Sequence, residues 1–126
     1  MLEVSCAIIE YKEKVLICQR SSSMELPLKW EFPGGKLENN ESKETCLIRE
    51  IKEELGLTIS IKKEIQTVIH EYPSFKVKLY AFICNIESGF IIKKEHCKIA
   101  WVTKSELLNY YLAEADIPVV KHYIKN

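Results

Sequence analysis

Three glutamates, Glu50, Glu53 and Glu54, lie close together within the stretch 43–55. If this stretch is a helix, spacings of three and four residues place all three carboxylates on one strip of its surface. Like charges at this spacing repel, and acidic residues in the last turn oppose the helix macrodipole. A cation would reverse both effects, and a hard ion such as Mg²⁺ takes oxygen ligands and bridges to phosphates. The pattern indicates a platform for a divalent metal.

The same residues have a second interpretation, a solvated helix face on which Arg49 and Glu53 form an ordinary i,i+4 pair. The preceding segment Pro33-Gly34-Gly35 favours the metal site. We expect a turn there, because proline fixes φ and glycine permits positive φ. The amides of such a turn can approach an anion closely.

The wider spacing matches a known motif at all nine of its defined positions, Gly35-x5-Glu41-x7-Arg49-Glu50-Ile51-x-Glu53-Glu54-x-Gly56-Leu57. This spacing resembles the Nudix box. Nearly the whole chain is similar to the MutT-type branch of the Nudix hydrolases, which cleave nucleoside diphosphates linked to another group. The resemblance implies the Nudix fold, an α+β arrangement in which a mixed sheet is sandwiched between α-helices.

The resemblance also implies a metal site. By position, Glu50, Glu53, Glu54 and Gly35 belong to the site for catalytic Mg²⁺, with Mn²⁺ as a substitute. Glu95 lies six residues before Trp101 and resembles a further metal-binding or general-base glutamate, although it could simply balance the lysines beside it. The sequence does not choose among Glu50, Glu53 and Glu95 as the general base.

Two further roles follow from the resemblance. Glu41 and Arg49 are expected to pair and hold the helix against the loop before it, a structural role. Arg20 lies thirteen residues before Pro33, where MutT-type proteins carry an arginine that contacts phosphate. We expect Arg20 and Lys36 to hold the phosphates that do not react. The alternative for Arg20 is a surface charge at the end of a strand.

The segment Leu112–Pro118 resembles the base-recognition turn of the family. Its Ala-Asp-Ile-Pro sequence is similar to that of cytidine-triphosphate pyrophosphohydrolases, whereas MutT has an amide side chain at the position of Asp116. Asp116 could also cap a helix that starts near Pro118, and both roles can hold together. The remaining candidates for substrate binding are two glycines, Gly34 and Gly35, and four aromatic residues, Phe32, Tyr72, Phe75 and Tyr80. In the alternative interpretation the aromatic residues belong to the core.

These assignments predict a nucleoside triphosphate pyrophosphohydrolase that acts on 8-oxo-dGTP or on cytidine-type triphosphates. Its products would be a nucleoside monophosphate and pyrophosphate, and its role would be nucleotide-pool sanitation and thereby DNA repair. Two alternatives stay open. One is another Nudix activity, on dinucleoside polyphosphates or nucleotide sugars. The other is a non-catalytic module that senses nucleotides.

Composition supports a small nucleotide as the partner. The 126 residues suit one domain, 1–126, working as a monomer or homodimer. With 18 basic and 18 acidic residues the formal charge is zero, which argues against binding nucleic-acid polymers. Apolar runs are too short for a membrane span, and no secretory signal is evident, so a cytoplasmic location is expected.

The chemistry requires elements that position it. Hydrophobic patterning predicts strands at 3–10, 14–19, within 58–70, at 76–86 and at 98–102. It predicts a helix over 43–55, between a cap in Asn39–Ser42 and Gly56, with Leu47, Ile48, Ile51 and Leu55 facing the core. Two short helices are expected at 105–112 and 118–123.

Overall fold

The computed structural model describes residues 1–24, 26–92 and 98–125 of the chain. Within these ranges, eight strands join in one sheet: β1 (Leu2–Tyr11), β2 (Lys14–Gln19), β3 (Trp30–Glu31), β4 (Gly34–Lys36), β5 (Thr58–Glu64), β6 (Val68–Tyr72), β7 (Phe75–Ser88) and β8 (Lys98–Val102). The helices are α1 (Lys43–Leu55), a 3₁₀ helix (Lys104–Asn109) and α2 (Asp116–Lys125). None of the described helices is both long enough and apolar enough to cross a membrane.

The sheet is mixed because β1 runs parallel to β7 and antiparallel to β2 and β4. Both faces of the central strands are buried, so neighbouring residues of β1 enter different cores. Ile8 packs in the core that contains Val119 and Val120 of α2. Ile9 packs in the core that contains Leu47 and Ile51 of α1. The expected α+β fold, a mixed sheet between helices, is therefore confirmed.

The segment Pro33-Gly34-Gly35 differs from expectation. Gly34–Lys36 forms β4, antiparallel to β1, and positive φ is found in the described glycines at Gly56 and Gly89. Close packing explains the glycine at position 34, because a Cβ there would lie 2.0 Å from the carbonyl oxygen of Ser5. The expected turn with positive φ was wrong.

Two helix predictions also need correction. Ile48 is 41% exposed, whereas Cys46 is buried, so the apolar face of α1 is rotated from the expected one. The segment predicted as a helix at 105–112 is the 3₁₀ helix Lys104–Asn109, with a capping box between Thr103 and Glu106. The predicted helices 43–55 and 118–123 are present as α1 and as part of α2.

Candidate active site

A cavity of about 1250 Å³ borders the sheet and carries polar side chains from several elements. Glu50 and Glu54 of α1 line it, as do Arg20 at the end of β2 and Asp116 at the start of α2. These residues are far apart in sequence, so the fold brings them together. The cavity is the candidate active site, and its lining also includes these predicted substrate-binding residues: Phe32, Gly34, Gly35 and Lys36.

Helix α1 is held firmly at both ends. The side chain of Ser42 caps its first turn by accepting from the N–H of Thr45 at 3.1 Å, and Gly56 ends it with a φ of 73°. The buried hydroxyl of Ser5 in β1 donates to the carbonyl oxygen of Lys43 at 2.8 Å. These contacts fix where the glutamates of the helix lie relative to the sheet.

Arg49 is the centre of a charged network. Its Nε donates to Oε2 of Glu41 at 2.6 Å and its Nη2 to Oε1 of Glu41 at 2.9 Å, so the expected pair is present and is bidentate. Nη2 also donates to the carbonyl oxygen of Lys36 at 3.3 Å. Arg49 lowers the pKa of Glu41 to about 2. The pair ties α1 to the segment that follows β4.

The opposite edge of the same guanidinium contacts two of the candidate metal ligands. Nη1 of Arg49 lies 3.2 Å from Oε2 of Glu50 and 3.2 Å from Oε2 of Glu53. The i,i+4 pair of the solvated-surface interpretation is therefore also present, with 60% of the Glu53 side chain exposed. Arg49 offsets part of the repulsion within the acidic strip.

Glu50 lies against the backbone of β4. A Cβ at Gly35 would be 2.2 Å from the carboxyl carbon of Glu50, so the glycine makes room for the carboxylate. Burial raises the pKa of Glu50, and the charges of Glu53 and Glu54 add to the rise, against the influence of Arg49. This half-buried carboxylate lies in surroundings that already hold excess negative charge.

The donor chemistry of this strip fits a divalent cation. Glu50 and Glu54 supply hard oxygen donors on the cavity wall, and Gly35 leaves space beside them. Glu54 has other interactions, yet its buried Oε1 accepts no hydrogen bond from the described residues. Among the described residues, no three such side chains already converge on one point. A site with few carboxylate ligands is compatible with Mg²⁺, because this ion keeps several waters and binds one or two carboxylates together with substrate phosphates.

Arg20 and Lys36 line the cavity as the phosphate assignment requires. Nη1 of Arg20 donates to Oε1 of Glu31 at 2.9 Å, and both side chains are about four-fifths covered. Lys36 is exposed at the end of β4. Two cations in different surroundings therefore line the cavity: Arg20 is paired with a carboxylate, and Lys36 is exposed to solvent.

The turn that carries Asp116 is attached to β3 through the backbone. Trp30 donates to the carbonyl oxygen of Tyr111 and accepts from the N–H of Ala113, each at 2.8 Å. Oδ2 of Asp116 then accepts from the N–H of Phe32 at 2.8 Å, and Asp116 is only 6% exposed. This hydrogen bond spans 84 positions of sequence, so the carboxylate joins two segments as well as starting α2.

The buried position perturbs Asp116. Burial raises its pKa well above the ordinary value, the negative charge of Glu31 adds to the rise, and the Phe32 N–H and Arg20 oppose it. Such a carboxyl group can be kept neutral at higher pH than an exposed aspartate. Its protonation state decides whether it only accepts hydrogen bonds or also donates one.

The candidate stacking aromatics separate into two groups. Phe32, Tyr72 and Phe75 line the cavity, with the rings of Tyr72 and Phe75 stacked at 4.9 Å and 27°. Tyr80 packs in the other core, with Ile51 and Leu55 of α1, and is absent from the described cavity wall. Of the two interpretations given for Tyr80, the structure supports the core position, on the face of β7 that packs against α1.

Glu95, the fourth predicted metal ligand, lies outside the described residues. The sequence reasoning missed Glu31, which holds Arg20, and the hydroxyl of Tyr72, which accepts from the N–H of Ala115. One signal in the sequence could have identified Glu31, which lies between the aromatic residues Trp30 and Phe32. The Tyr72 contact spans 43 residues and left no local pattern.

Comparison with known proteins tests the family. A family model described as "NUDIX domain" matches residues 4–122. The chain belongs to the Nudix family. It is a Nudix hydrolase, and members of the family in general depend on divalent metals.

The relatives are named for related activities. CTP pyrophosphohydrolase of Escherichia coli K12 is 35% identical over 124 residues, covering 98% of this chain and 92% of the relative. 8-oxo-dGTP diphosphatase of Proteus vulgaris is 33% identical over 100 residues, covering 78% of this chain and 89% of the relative. Among solved structures, a MutT protein of Staphylococcus aureus 252 superposes with a TM-score of 0.80 at 40% identity, covering 98% and 95% of the two chains.

Proposed function

We propose that this Nudix hydrolase is a Mg²⁺-dependent nucleoside triphosphate pyrophosphohydrolase that acts on cytidine-type triphosphates or 8-oxo-dGTP, as a cleanser of the nucleotide pool. The observation that carries the proposal is one cavity lined by Glu50 and Glu54 of the acidic strip of α1 and by the buried Asp116. The two glutamates supply oxygen donors for a metal, and Asp116 supplies a polar group for a base. The names of the relatives support both substrate classes.

At the phosphate side, Glu50, Glu53 and Glu54 would hold Mg²⁺, joined by Gly35 and by Glu95. The bound ion would neutralise charge on the phosphate oxygens and lower the pKa of the attacking water. Arg20 and Lys36 would hold the phosphates that do not react. A glutamate would accept the proton of the attacking water, with Glu50, Glu53 and Glu95 as the candidates.

At the base side, Asp116 would read the polar edge of the base. An ionised carboxylate accepts hydrogen bonds and favours an exocyclic amine, as in cytosine, whereas a protonated one can also meet the mixed edge of an oxidised guanine. Phe32 and the stacked pair of Tyr72 and Phe75 offer apolar surfaces for the ring of the base.

The proposal is tested by pyrophosphate release with and without Mg²⁺, from CTP, dCTP, 8-oxo-dGTP, dGTP, a dinucleoside polyphosphate and a nucleotide sugar. We expect metal-dependent release of pyrophosphate and a nucleoside monophosphate from one of the first three. Faster hydrolysis of either of the last two would replace the proposal with another Nudix activity. Nucleotide binding without any turnover would indicate a sensing module.

A further inference from the structure

Tyr72 connects the base-side turn to the hairpin of β6 and β7. Its hydroxyl oxygen accepts a hydrogen bond from the backbone N–H of Ala115 at 2.9 Å. Both residues are buried, at 5% and 4% exposure, and both line the cavity. Ala115 directly precedes Asp116, so this contact acts on the backbone that carries the buried carboxylate.

The tyrosine ring is itself held in place. It stacks on Phe75 with ring centres 4.9 Å apart, and His70 approaches it edge-on at 4.6 Å and 67°. A ring packed on two sides has little freedom to rotate or slide. The hydroxyl therefore offers the Ala115 N–H an acceptor at a defined point. Burial raises the pKa of Tyr72, so the phenol stays neutral near pH 7.

The other contacts of the turn come from a different part of the sheet. Trp30 holds Ala113 by a backbone hydrogen bond, and the N–H of Phe32 holds the carboxylate of Asp116. Both belong to the segment at β3, whereas Tyr72 ends β6. Without the hydroxyl the buried N–H of Ala115 would lose its acceptor, which favours a shifted turn. Contacts from two elements define the position of Asp116 more tightly than contacts from one.

We propose that Tyr72 is a positioning residue for nucleotide selection, whose hydroxyl holds Ala115 so that Asp116 meets the base in one orientation. The inference rests on the proposed function, because it concerns how that same site chooses its nucleotide. It assigns Tyr72 no part in the phosphate chemistry, so its effect belongs in discrimination between bases.

The test is Tyr72→Phe, which removes the hydroxyl and keeps the ring on Phe75. We expect the ratio of kcat/KM between the best and worst of CTP, dCTP, 8-oxo-dGTP and dGTP to fall roughly five- to tenfold, as for one lost buried polar contact. The fall should appear as a higher KM for the best substrate. Without nucleotide, the Ala115 amide should exchange its hydrogen roughly tenfold faster or more, since its local protection is lost.

Tyr123→Phe is the matched control, because Tyr123 is also buried and its hydroxyl bonds to Glu10, away from the described wall of this cavity. It should leave the substrate ratio unchanged. In the Asp116→Asn background, Tyr72→Phe should have little further effect on the ratio, because both changes act through one contact with the base.

An unchanged ratio of kcat/KM in Tyr72→Phe, including an equal loss with every nucleotide, would overturn the inference. Unchanged exchange at Ala115 would show that the hydroxyl does not hold the turn. If the wild-type enzyme releases pyrophosphate from none of the four nucleotides, the proposed function itself fails. This failure differs from a failure of the inference about Tyr72, because it is measured on the wild-type enzyme alone.

Discussion

The acidic strip of α1, which borders the cavity through Glu50 and Glu54, and Asp116 on the same cavity lie in different surroundings. The acidic strip of α1 lies around a guanidinium and remains partly in solvent, with 60% of the Glu53 side chain exposed. Asp116 is 6% exposed, lies near the charge of Glu31, and accepts a hydrogen bond from a backbone N–H. The strip supplies oxygen donors that suit a cation, whereas burial raises the pKa of Asp116 and favours its neutral form.

The different surroundings indicate different roles for the acidic strip and Asp116. In the proposed function the strip would bind the metal ion, so its substitutions would change the rate of the reaction. The buried, hydrogen-bonded Asp116 would affect which base is accepted, because an unmatched polar contact in a buried site is costly. Substitutions in the two groups should therefore change different measurements, and the four predictions below follow from that expectation.

Glu53→Gln should have the largest effect. We expect kcat to fall by at least roughly a hundredfold, as when one electrostatic contact to the reacting group is lost. The melting temperature should hardly change, because the side chain is exposed and one repelling charge is removed. Glu44→Gln is the control, an exposed glutamate in the first turn of the same helix and outside the described cavity wall. Near-normal turnover of Glu53→Gln in Mg²⁺ would contradict the assignment of the metal side.

Arg49→Ala should lower both activity and stability. It leaves Glu41, whose side chain is 10% exposed, without its bidentate partner and removes the tie to Lys36. We expect the melting temperature to fall by roughly 5–10 °C, as for a partly desolvated ion pair that loses one member. Lys62→Ala, which breaks the more exposed pair with Glu10, should cost far less. Equal melting temperatures for the two variants would make Arg49 an ordinary surface charge.

Asp116→Asn should change selection more than rate. Asparagine keeps the size of the side chain and fixes both a donor and an acceptor. We expect the ratio of kcat/KM among dCTP, 8-oxo-dGTP and dGTP to shift by roughly tenfold. Glu114→Gln is the control from the same turn, since its side chain pairs with Lys29 instead. A uniform fall over all three substrates would leave Asp116 with a purely structural role.

The smallest effect concerns the dependence of stability on pH. The contribution of Glu41 should increase with pH, whereas that of Asp116 should decrease. Arg49 lowers the pKa of Glu41 to about 2. The pairing of Glu41 with Arg49 therefore stabilises the fold fully at pH values above the pKa of an unfolded glutamate, about 4.3. This stabilisation is lost as the pH falls toward 2. Burial raises the pKa of Asp116, so its contribution is complete below about pH 4 and is lost as the pH rises through that raised value.

Melting temperatures between pH 3 and 8 check this difference. Asp116→Asn should melt roughly 2–5 °C above the wild-type protein at pH 8, with the gap closing toward pH 4. Glu41→Gln should melt below the wild-type protein at pH 8, with its deficit shrinking as the pH approaches 3. A lower melting temperature of Asp116→Asn at pH 8 would mean that its ionised carboxylate stabilises the fold.

The comparison also separates what could be predicted from the sequence. The acidic strip lies within one helix, where a period of 3.6 residues relates neighbours on the surface directly. The cap of this helix and its end at Gly56 were predictable because their signals lie in the local sequence, and the pair between Arg49 and Glu41 was expected from the resemblance to the Nudix box. The family likewise follows from this local spacing.

The base side depended on the tertiary structure. The partners of Asp116 and Ala115 lie 84 and 43 residues away, and nothing in their local sequence records these contacts. The same reason explains why the turn expected at Gly34 was wrong and why Tyr80 could not be placed from the sequence. Gly34 meets the carbonyl oxygen of Ser5 across a strand pairing, and Tyr80 packs with residues of α1.

The fold class, the acidic helix with its caps and the membership of the Nudix family could thus be inferred from the amino-acid sequence. Helix periodicity, caps and motif spacing are properties of short segments, so they can be inferred before the chain is folded. The pair of Arg20 with Glu31, the burial of Asp116 against Phe32 and the contact of Tyr72 with the turn beside it became visible in the folded chain alone. Burial and long-range hydrogen bonds arise when distant segments pack, and they perturb the pKa of Asp116, the residue proposed to read the base.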